Sequence, residues 1–193
     1  MQKSVYRTLL KIVGVVALVA GIAITYAGTW AHTFVSDQLS SQKITMPSGA
    51  ALTEQVMKDH LTQYAGEQMT TGPQAYAYSE YFIHEHMMAA SGGKSYSEIG
   101  TEASAMAKAN PQITAGTASA TDMAAYNKLT GIKNTLFQGD ALRSMLLTAY
   151  AWWTVGTIAL WAGIILMIVG VALGVLGFIG FKGNKGVVAG AAA

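Results

Sequence analysis

Cysteine is absent from the 193-residue chain, and proline occurs only three times. The lack of cysteine excludes disulfides, iron–sulfur clusters, zinc sites with thiolate ligands and haem attached through a C-x-x-C-H motif. Phosphate-binding loops and nucleophile elbows are also missing from the sequence. Any folded part of the chain must therefore be held together by packing or by partners.

Charge is absent from two long stretches, residues 12–30 and 144–181. The first stretch would span about 28 Å as a helix, which matches the hydrocarbon thickness of a bilayer. The second exceeds one span and has no polar break, so we predict one long helix whose outer turns, about 142–150, project beyond the lipid. Trp30, Trp152 and Trp153 mark the predicted membrane interface, because indoles prefer that level.

The fold class that follows is an all-α membrane protein, a two-helix transmembrane hairpin with a small helical extracytoplasmic domain. Basic residues near both ends favour cytoplasmic termini; they are Lys3, Arg7, Lys11, Lys182 and Lys185. The predicted layout is a cytoplasmic N-terminus (1–11), transmembrane helix 1 (12–30), an extracytoplasmic domain (31–143), a long helix that includes transmembrane helix 2 (144–181) and a cytoplasmic C-terminus (182–193). A cleaved signal peptide is the alternative for the first stretch.

All ten acidic residues lie between Asp37 and Asp140, and the predicted domain 31–143 also contains seven basic residues, which leave it a net charge of −3. No basic run or basic–aromatic interleaving occurs, so we expect no nucleic-acid binding. The expected partners are membrane lipid and other membrane proteins, and we expect no small-molecule substrate.

Glycines recur at intervals of seven in both apolar stretches, which returns them to nearly the same helix face. Small residues on one face let two helix backbones approach closely in lipid. In an antiparallel hairpin one register pairs Gly28 with Gly156, Gly21 with Gly163, and Gly14 with Gly170. We predict that these six glycines form a helix-packing seam. The alternative is that glycine is simply common in membrane helices.

Gly170 and Gly174 also form an isolated G-x-x-x-G, a weak indication of a second packing face.

Proline, glycine and capping residues predict short helices between the spans and little β-structure. The first membrane helix should continue to about Gln42. Thr53 should cap a helix over 54–64, and a second helix should run from 74 to 90. Ser95 and Glu98 resemble a capping box for a third helix, which should end before Pro111. We predict a loop over 113–121, a helix over 121–136, and a separate start at Gly139-Asp140 for the helix that enters the membrane.

Potential metal ligands are dense at one place only, which contains Glu80, His84, Glu85 and His86. Glu80 and His84 share a helix face, whereas His84 and His86 point apart. Glu and His are four residues apart here, and the ferritin-like pattern needs three. We therefore expect no metal ligand, no bound cofactor and no catalytic residue in this chain. Polar residues at a protein contact are the alternative role for this group.

The predicted helix 74–90 also has a large aromatic and thioether surface of residue types enriched at protein contacts. We treat six of its residues as a candidate partner interface, with the core of the outer domain as the alternative; they are Tyr76, Tyr78, Tyr81, Phe82, Met87 and Met88. Trp161 joins this set, because an indole below the interface usually needs a hydrogen-bond partner. That partner would come from a neighbouring subunit or from Thr157, one turn away.

Several segments resemble those of a family of small actinobacterial two-helix membrane proteins, whose members are often labelled aromatic ring-opening dioxygenases. The resemblance covers most of the chain and rests on Val35-Ser36-Asp37-Gln38-Leu39, Lys43-Ile44-Thr45, Ala75-Tyr76-Ala77-Tyr78, the run from Met88 to Glu98, and Ala141-Leu142-Arg143. Size and layout are also similar to accessory subunits of the actinobacterial supercomplex that joins a cytochrome bcc complex to a cytochrome c oxidase. That resemblance implies that haems and copper belong to partner subunits.

Three functions are therefore open at the level of sequence. The first is a non-catalytic accessory subunit of a large membrane complex, with the respiratory supercomplex as the favoured complex. The second is a metal-dependent ring-opening dioxygenase, as the family label implies, although the metal-binding constellation of extradiol dioxygenases has no counterpart here. The third is a free-standing envelope sensor or assembly factor.

Overall fold

The structure, a computed structural model, describes residues 2–179, which are mostly helical with short irregular connections. Its helices are α1 (Gln2–Ser41), α2 (Gln55–Leu61), α3 (Gly72–Tyr78), α4 (His84–Ser91), α5 (Tyr96–Ala109), α6 (Pro111–Ala115) and α7 (Ala120–Ile179). Within residues 2–179, extended backbone pairs only at a bridge between Thr45 and Gln68. The all-α prediction is thus confirmed for this part, and the predicted segment 182–193 lies outside the described residues.

Helices α1 and α7 are long and apolar enough to cross a membrane. An 18-residue window reaches a mean hydropathy of 2.3 in Ser4–Ser41 and 2.7 in Ala120–Ile179. Only 11% and 17% of these windows are buried within the chain itself. The core helix of a water-soluble domain would be mostly buried, so these apolar surfaces favour a membrane environment.

Helix α7 runs without a break for 60 residues, so the predicted separate start at Gly139-Asp140 is wrong. An interior glycine costs a helix only about 1 kcal/mol relative to alanine, which a long helix with good packing tolerates. Gly139 is buried against the side chain of Met87, and a Cβ at this position would overlap it. The glycine therefore permits a close approach and does not interrupt the helix.

The predicted helix 74–90 is divided by a π-helical turn, Ser79–Ile83, between α3 and α4. Such turns insert an extra residue into a helix and occur mostly as single turns. At the start of α3, Thr71 and Gln74 form a capping box that we did not predict. At the end of α4, Gly92 takes the left-handed conformation with φ 65°, in agreement with the predicted stop.

Other helix ends agree in part with the predictions. Ser95 and Glu98 form the predicted capping box of α5. Thr53 does not cap α2, because the N-cap residue is Glu54 and the Thr53 hydroxyl lies 3.7 Å from the Met57 sulfur. The predicted loop 113–121 is shorter than expected and covers only 116–119, since the short helix α6 covers Pro111–Ala115 and α7 already begins at Ala120.

The chain divides into two compact units, which we call the hairpin unit (2–31 and 155–179) and the central unit (His32–Thr154). The central unit is larger than the predicted domain 31–143, because the turns of α7 up to Thr154 pack into it. Its main core is made of buried residues from several helices, Leu146 of α7 among them, and the partly buried Ala149 and Trp153 of α7 pack against it. A second, smaller core contains Met87, Ile99 and Leu136.

Candidate functional site: a glycine seam and an apolar groove

Three glycine pairs bring the backbones of α1 and α7 together in the hairpin unit. A Cβ placed on Gly14 would lie 2.8 Å from the carbonyl oxygen of Gly170, and one on Gly21 would lie 2.8 Å from that of Gly163. A Cβ on Gly28 would lie 2.7 Å from the Gly156 carbonyl oxygen. These are the pairs of the predicted register, and we call the six residues the glycine seam.

Side chains close the space beside the seam. The Met167 side chain and the Gly163 carbonyl both lie where a Cβ of Gly21 would point, and Leu160 does the same at Gly28. The Thr25 hydroxyl donates a hydrogen bond to the Gly21 carbonyl at 2.8 Å, so this polar group is satisfied within its own helix. The seam therefore has no room for any side chain, and close backbone packing holds the two helices together.

The same register continues to a cationic end that we did not predict. Opposite Gly177, the Arg7 Nε donates to the Gly177 carbonyl at 3.4 Å and Nη2 donates to the Phe178 carbonyl at 2.7 Å. The Lys11 ammonium lies 4.3 Å from the centroid of the Phe178 ring. Two cations of α1 therefore lie against the last described turn of α7. In the sequence, this contact was indicated only by Gly177, the fourth glycine of the heptad series in α7.

Most of the predicted aromatic interface belongs to the central unit's own packing. Tyr78, Tyr81 and Phe82 are partly buried against the main core. Met87 is 4% exposed within the smaller core, and Met88 packs against the same core. These side chains are consequently used for folding, and the alternative given above, a domain core, describes them better than a free contact surface does.

Tyr76 is half-buried and lies in a group of rings. Its ring centroid is 4.8 Å from that of Tyr150 and 6.1 Å from that of Tyr81. Trp161, in the hairpin unit, is 63% exposed, which leaves its indole available to lipid or to a neighbouring subunit. Of the seven predicted interface residues, Trp161 presents by far the clearest open surface.

The Glu80–His86 group does not converge on one point. Glu80 accepts a hydrogen bond from Arg143 Nη2 at 2.8 Å, and the His86 Nδ1 lies 2.8 Å from the Phe82 carbonyl oxygen. The Nδ1 of His84 is buried and has no hydrogen-bond partner. Within residues 2–179, no group of three or more His, Asp or Glu side chains is arranged to hold a metal ion. The arrangement fits an inter-helix ion pair better than a shared ligand set.

Histidines elsewhere in the central unit stack on aromatic rings. The His32 ring lies 4.1 Å from that of Trp153, and its Nε2 is 3.0 Å from the Trp153 carbonyl oxygen. The His60 ring lies 3.8 Å from that of Tyr81. Trp153, which is predicted to lie at the membrane interface, packs against the main core and fills the space beside Gly72. Trp152 is 57% exposed and remains a candidate for that interface.

An apolar groove of about 510 Å³ opens on the central unit, between the end of α1, the π-helical turn and α7. Leu142 and Met145 of α7 form one side and are 54% and 69% exposed. The groove is lined by Leu39, Ile44, Tyr78, Ile83, Leu142, Met145, Leu146 and Ala149, with the polar Gln38 and Gln42. Burial raises the pKa of the Tyr78 phenol in this wall. We did not predict the groove, although Leu142 and Met145 stand three residues apart on one helix face.

The chain was compared with known protein families, with curated proteins and with solved structures, and none of the three comparisons gave a match.

Proposed function

We propose that this chain is a non-catalytic accessory subunit of a larger membrane complex, which it joins through packing contacts. In this proposal α1 and α7 cross the membrane as a hairpin fixed by the glycine seam. Both termini are cytoplasmic and the central unit is extracytoplasmic, as the basic residues near the ends favour. The sequence resemblance favours the respiratory cytochrome bcc–cytochrome c oxidase supercomplex as the complex.

The observation that carries the proposal is the apolar groove with its exposed wall. Met145 and Leu142 together place two large apolar side chains in contact with solvent beside a groove of about 510 Å³. A contiguous apolar surface with a polar rim is typical of a protein contact, because its exposure to water is unfavourable until a partner covers it. Thioether side chains adapt well to such partners.

Membrane lipid is a poor candidate to cover this groove. Met145 precedes the exposed Trp152 by seven residues of the same helix, a separation of about 10 Å along its axis. If Trp152 lies at the interface, Met145 stands beyond the hydrocarbon layer. An apolar segment of another subunit then fits the groove better than an acyl chain does.

Ion pairing fixes the wall of the groove on the central unit. Arg143 lies between Leu142 and Met145 in sequence, and its guanidinium is bound to Glu80 at 2.8 Å. A second carboxylate, that of Asp140, lies 3.8 Å from the Arg143 Nη1. The side chains of Arg143 and Glu80 are 19% and 26% exposed, so this pair is shielded more than an ordinary surface pair. It ties α7 to the π-helical turn and so holds the two sides of the groove in place.

The experiment is a co-purification from native membranes in mild detergent with a tagged chain and single variants. Met145→Glu should strongly reduce the recovery of partner subunits, because a carboxylate would then be desolvated at the contact. Thr148→Glu is the matched control, since Thr148 is exposed on the same helix but does not line the groove. Equal recovery with both variants would contradict a contact at the groove.

A further inference from the structure

A second groove lies on the hairpin unit, along one side of the glycine seam. Its volume is about 340 Å³, and its lining is almost entirely apolar, with Val15 and Leu18 from α1 and Val175 and Phe178 from α7. Gly174 forms part of its floor. A Cβ on Gly174 would meet nothing within 4 Å, in contrast to the seam glycines. Gly174 therefore gives the groove depth, although its backbone nitrogen lies against α1, 2.7 Å from the position of a Cβ on Gly14.

The size of this groove fits an extended chain better than a helix. A helix with its side chains is about 10 Å across, so 13 Å of helix would occupy roughly 1,000 Å³, about three times the 340 Å³ of the groove. The lining runs along α7 from Gly170 to Ile179, about 13 Å of helix.

Positive charge stands at the Phe178 end of the groove. The Lys11 ammonium lies 4.3 Å from the Phe178 ring centroid, and Arg7 binds the Phe178 carbonyl. The two bonds that Arg7 makes use two of the five N–H donors of a guanidinium, and the Lys11 ammonium has three donors of its own. All acidic side chains of the chain lie between Asp37 and Asp140, so among the described residues of the hairpin unit neither cation has a carboxylate partner.

We propose that this groove binds an anionic phospholipid, with one acyl chain over Gly174 and the phosphate within reach of Arg7 and Lys11. The proposal rests on the proposed topology, which places Arg7 and Lys11 at the cytoplasmic leaflet, where anionic lipids are concentrated. A cationic end and an apolar channel are complementary to the two halves of such a lipid. Neither a free phosphate nor a zwitterionic lipid would use both features to the same extent.

The test uses the purified full-length chain in a neutral detergent. Thermal unfolding is followed with added phosphatidylglycerol, with phosphatidylcholine and with inorganic phosphate, and retained lipid is counted by native mass spectrometry. We expect phosphatidylglycerol to be retained and to raise the unfolding temperature more than phosphatidylcholine does. Equal effects of the two lipids would overturn the proposal. Protection by inorganic phosphate equal to that by phosphatidylglycerol would also overturn it, because the acyl groove would then be unused.

Variants separate the charge from the groove. Arg7→Gln or Lys11→Gln should each weaken phosphatidylglycerol binding about fivefold, the effect of roughly 1 kcal/mol per basic residue near an anionic surface. Arg7→Lys keeps the charge and should restore most of the affinity. Gly174→Leu should fill the groove and abolish retention of the lipid, whereas Ala172→Leu, an exposed position outside the groove, should not.

Misfolding is checked by the helical circular dichroism of each variant. Should Gly174→Leu fail to fold, the Arg7→Gln, Lys11→Gln double variant decides the matter, and unchanged lipid retention by it would overturn the proposal. Recovery of partner subunits is measured on the same preparations. If Met145→Glu loses the partner subunits but retains lipid normally, the partner contact is independent of lipid binding. If the Arg7→Gln, Lys11→Gln double variant loses the lipid but keeps the partners, lipid binding is independent of the partner contact.

Discussion

Gly21 and Gly163 face each other so closely that a Cβ on either would lie 2.8 Å from the carbonyl oxygen of the other. We predict that Gly21→Leu or Gly163→Leu forces α1 and α7 apart and destabilises the hairpin by about 1–3 kcal/mol, the usual cost of overpacking. The measurement is the free energy of unfolding of the full chain in detergent. Gly174→Leu is the control, because its Cβ meets open space. Equal losses for all three variants would show that the seam is not special.

Two glycines of α7 provide a matched pair in the central unit. Gly131 has open space where a methyl group would point, whereas Gly139 is packed against the Met87 side chain. We predict that Gly131→Ala stabilises the chain by up to about 1 kcal/mol, because alanine is the better helix former. Gly139→Ala should give no such gain, because the steric cost of displacing a buried side chain offsets it. Thermal unfolding of both variants tests this, and equal stabilisation would contradict the packing at Gly139.

The capping box of α5 has a pH signature. Hydrogen bonds from the Ser95 backbone N–H and hydroxyl lower the pKa of Glu98 below its ordinary value of 4.5. A carboxyl whose pKa is lowered by folding contributes stability above its unfolded pKa, and this contribution is lost as the pH falls through the folded pKa. We predict that Ser95→Ala raises the pKa of Glu98 towards 4.5. An NMR titration of the glutamate carboxyl measures it, and an unchanged pKa would show that the Ser95 hydroxyl contributes nothing beyond the backbone N–H.

The proposed topology predicts different accessibility for two introduced cysteines, which the chain allows because it has none of its own. Ser119→Cys lies in the central unit and should react with a membrane-impermeant thiol reagent on intact cells. Asn184→Cys, near the C-terminus, should react only after permeabilisation. Labelling of position 184 but not of position 119 on intact cells would invert the proposed orientation.

The seam could be predicted from the sequence because a heptad spacing on two antiparallel helices allows only one register for all three glycine pairs. The capping box of Ser95 and Glu98 could also be predicted, because it depends on two residues only three positions apart. The π-helical turn at Ser79–Ile83 was not predictable, because it depends on how α3 and α4 pack and leaves no periodicity of its own. A break in α7 before Gly139 was wrongly predicted, since a glycine that ends a helix and one that admits a neighbouring side chain look the same in sequence.

The predicted interface shows that sequence alone also could not separate core residues from contact residues. Aromatic and thioether residues are typical both of small cores and of protein contacts, so composition could not separate the two roles of residues 74–90. Burial separates them: Met87 is 4% exposed, whereas Met145, which the sequence did not single out as a contact, is 69% exposed. The groove combines residues from α1, the π-helical turn and α7, and such long-range combinations are visible only once the chain is folded.

The proposed role as an accessory subunit requires that this chain carry no redox centre of its own. The decisive measurement is the optical spectrum, metal content and subunit composition of the tagged chain purified from its native membrane in mild detergent, beside the same chain expressed alone. We predict haem-bearing partner subunits in the first preparation and neither haem nor stoichiometric metal in the second. Stoichiometric iron, copper or haem in the chain expressed alone, with no partner recovered from the native membrane, would contradict this role and favour the dioxygenase.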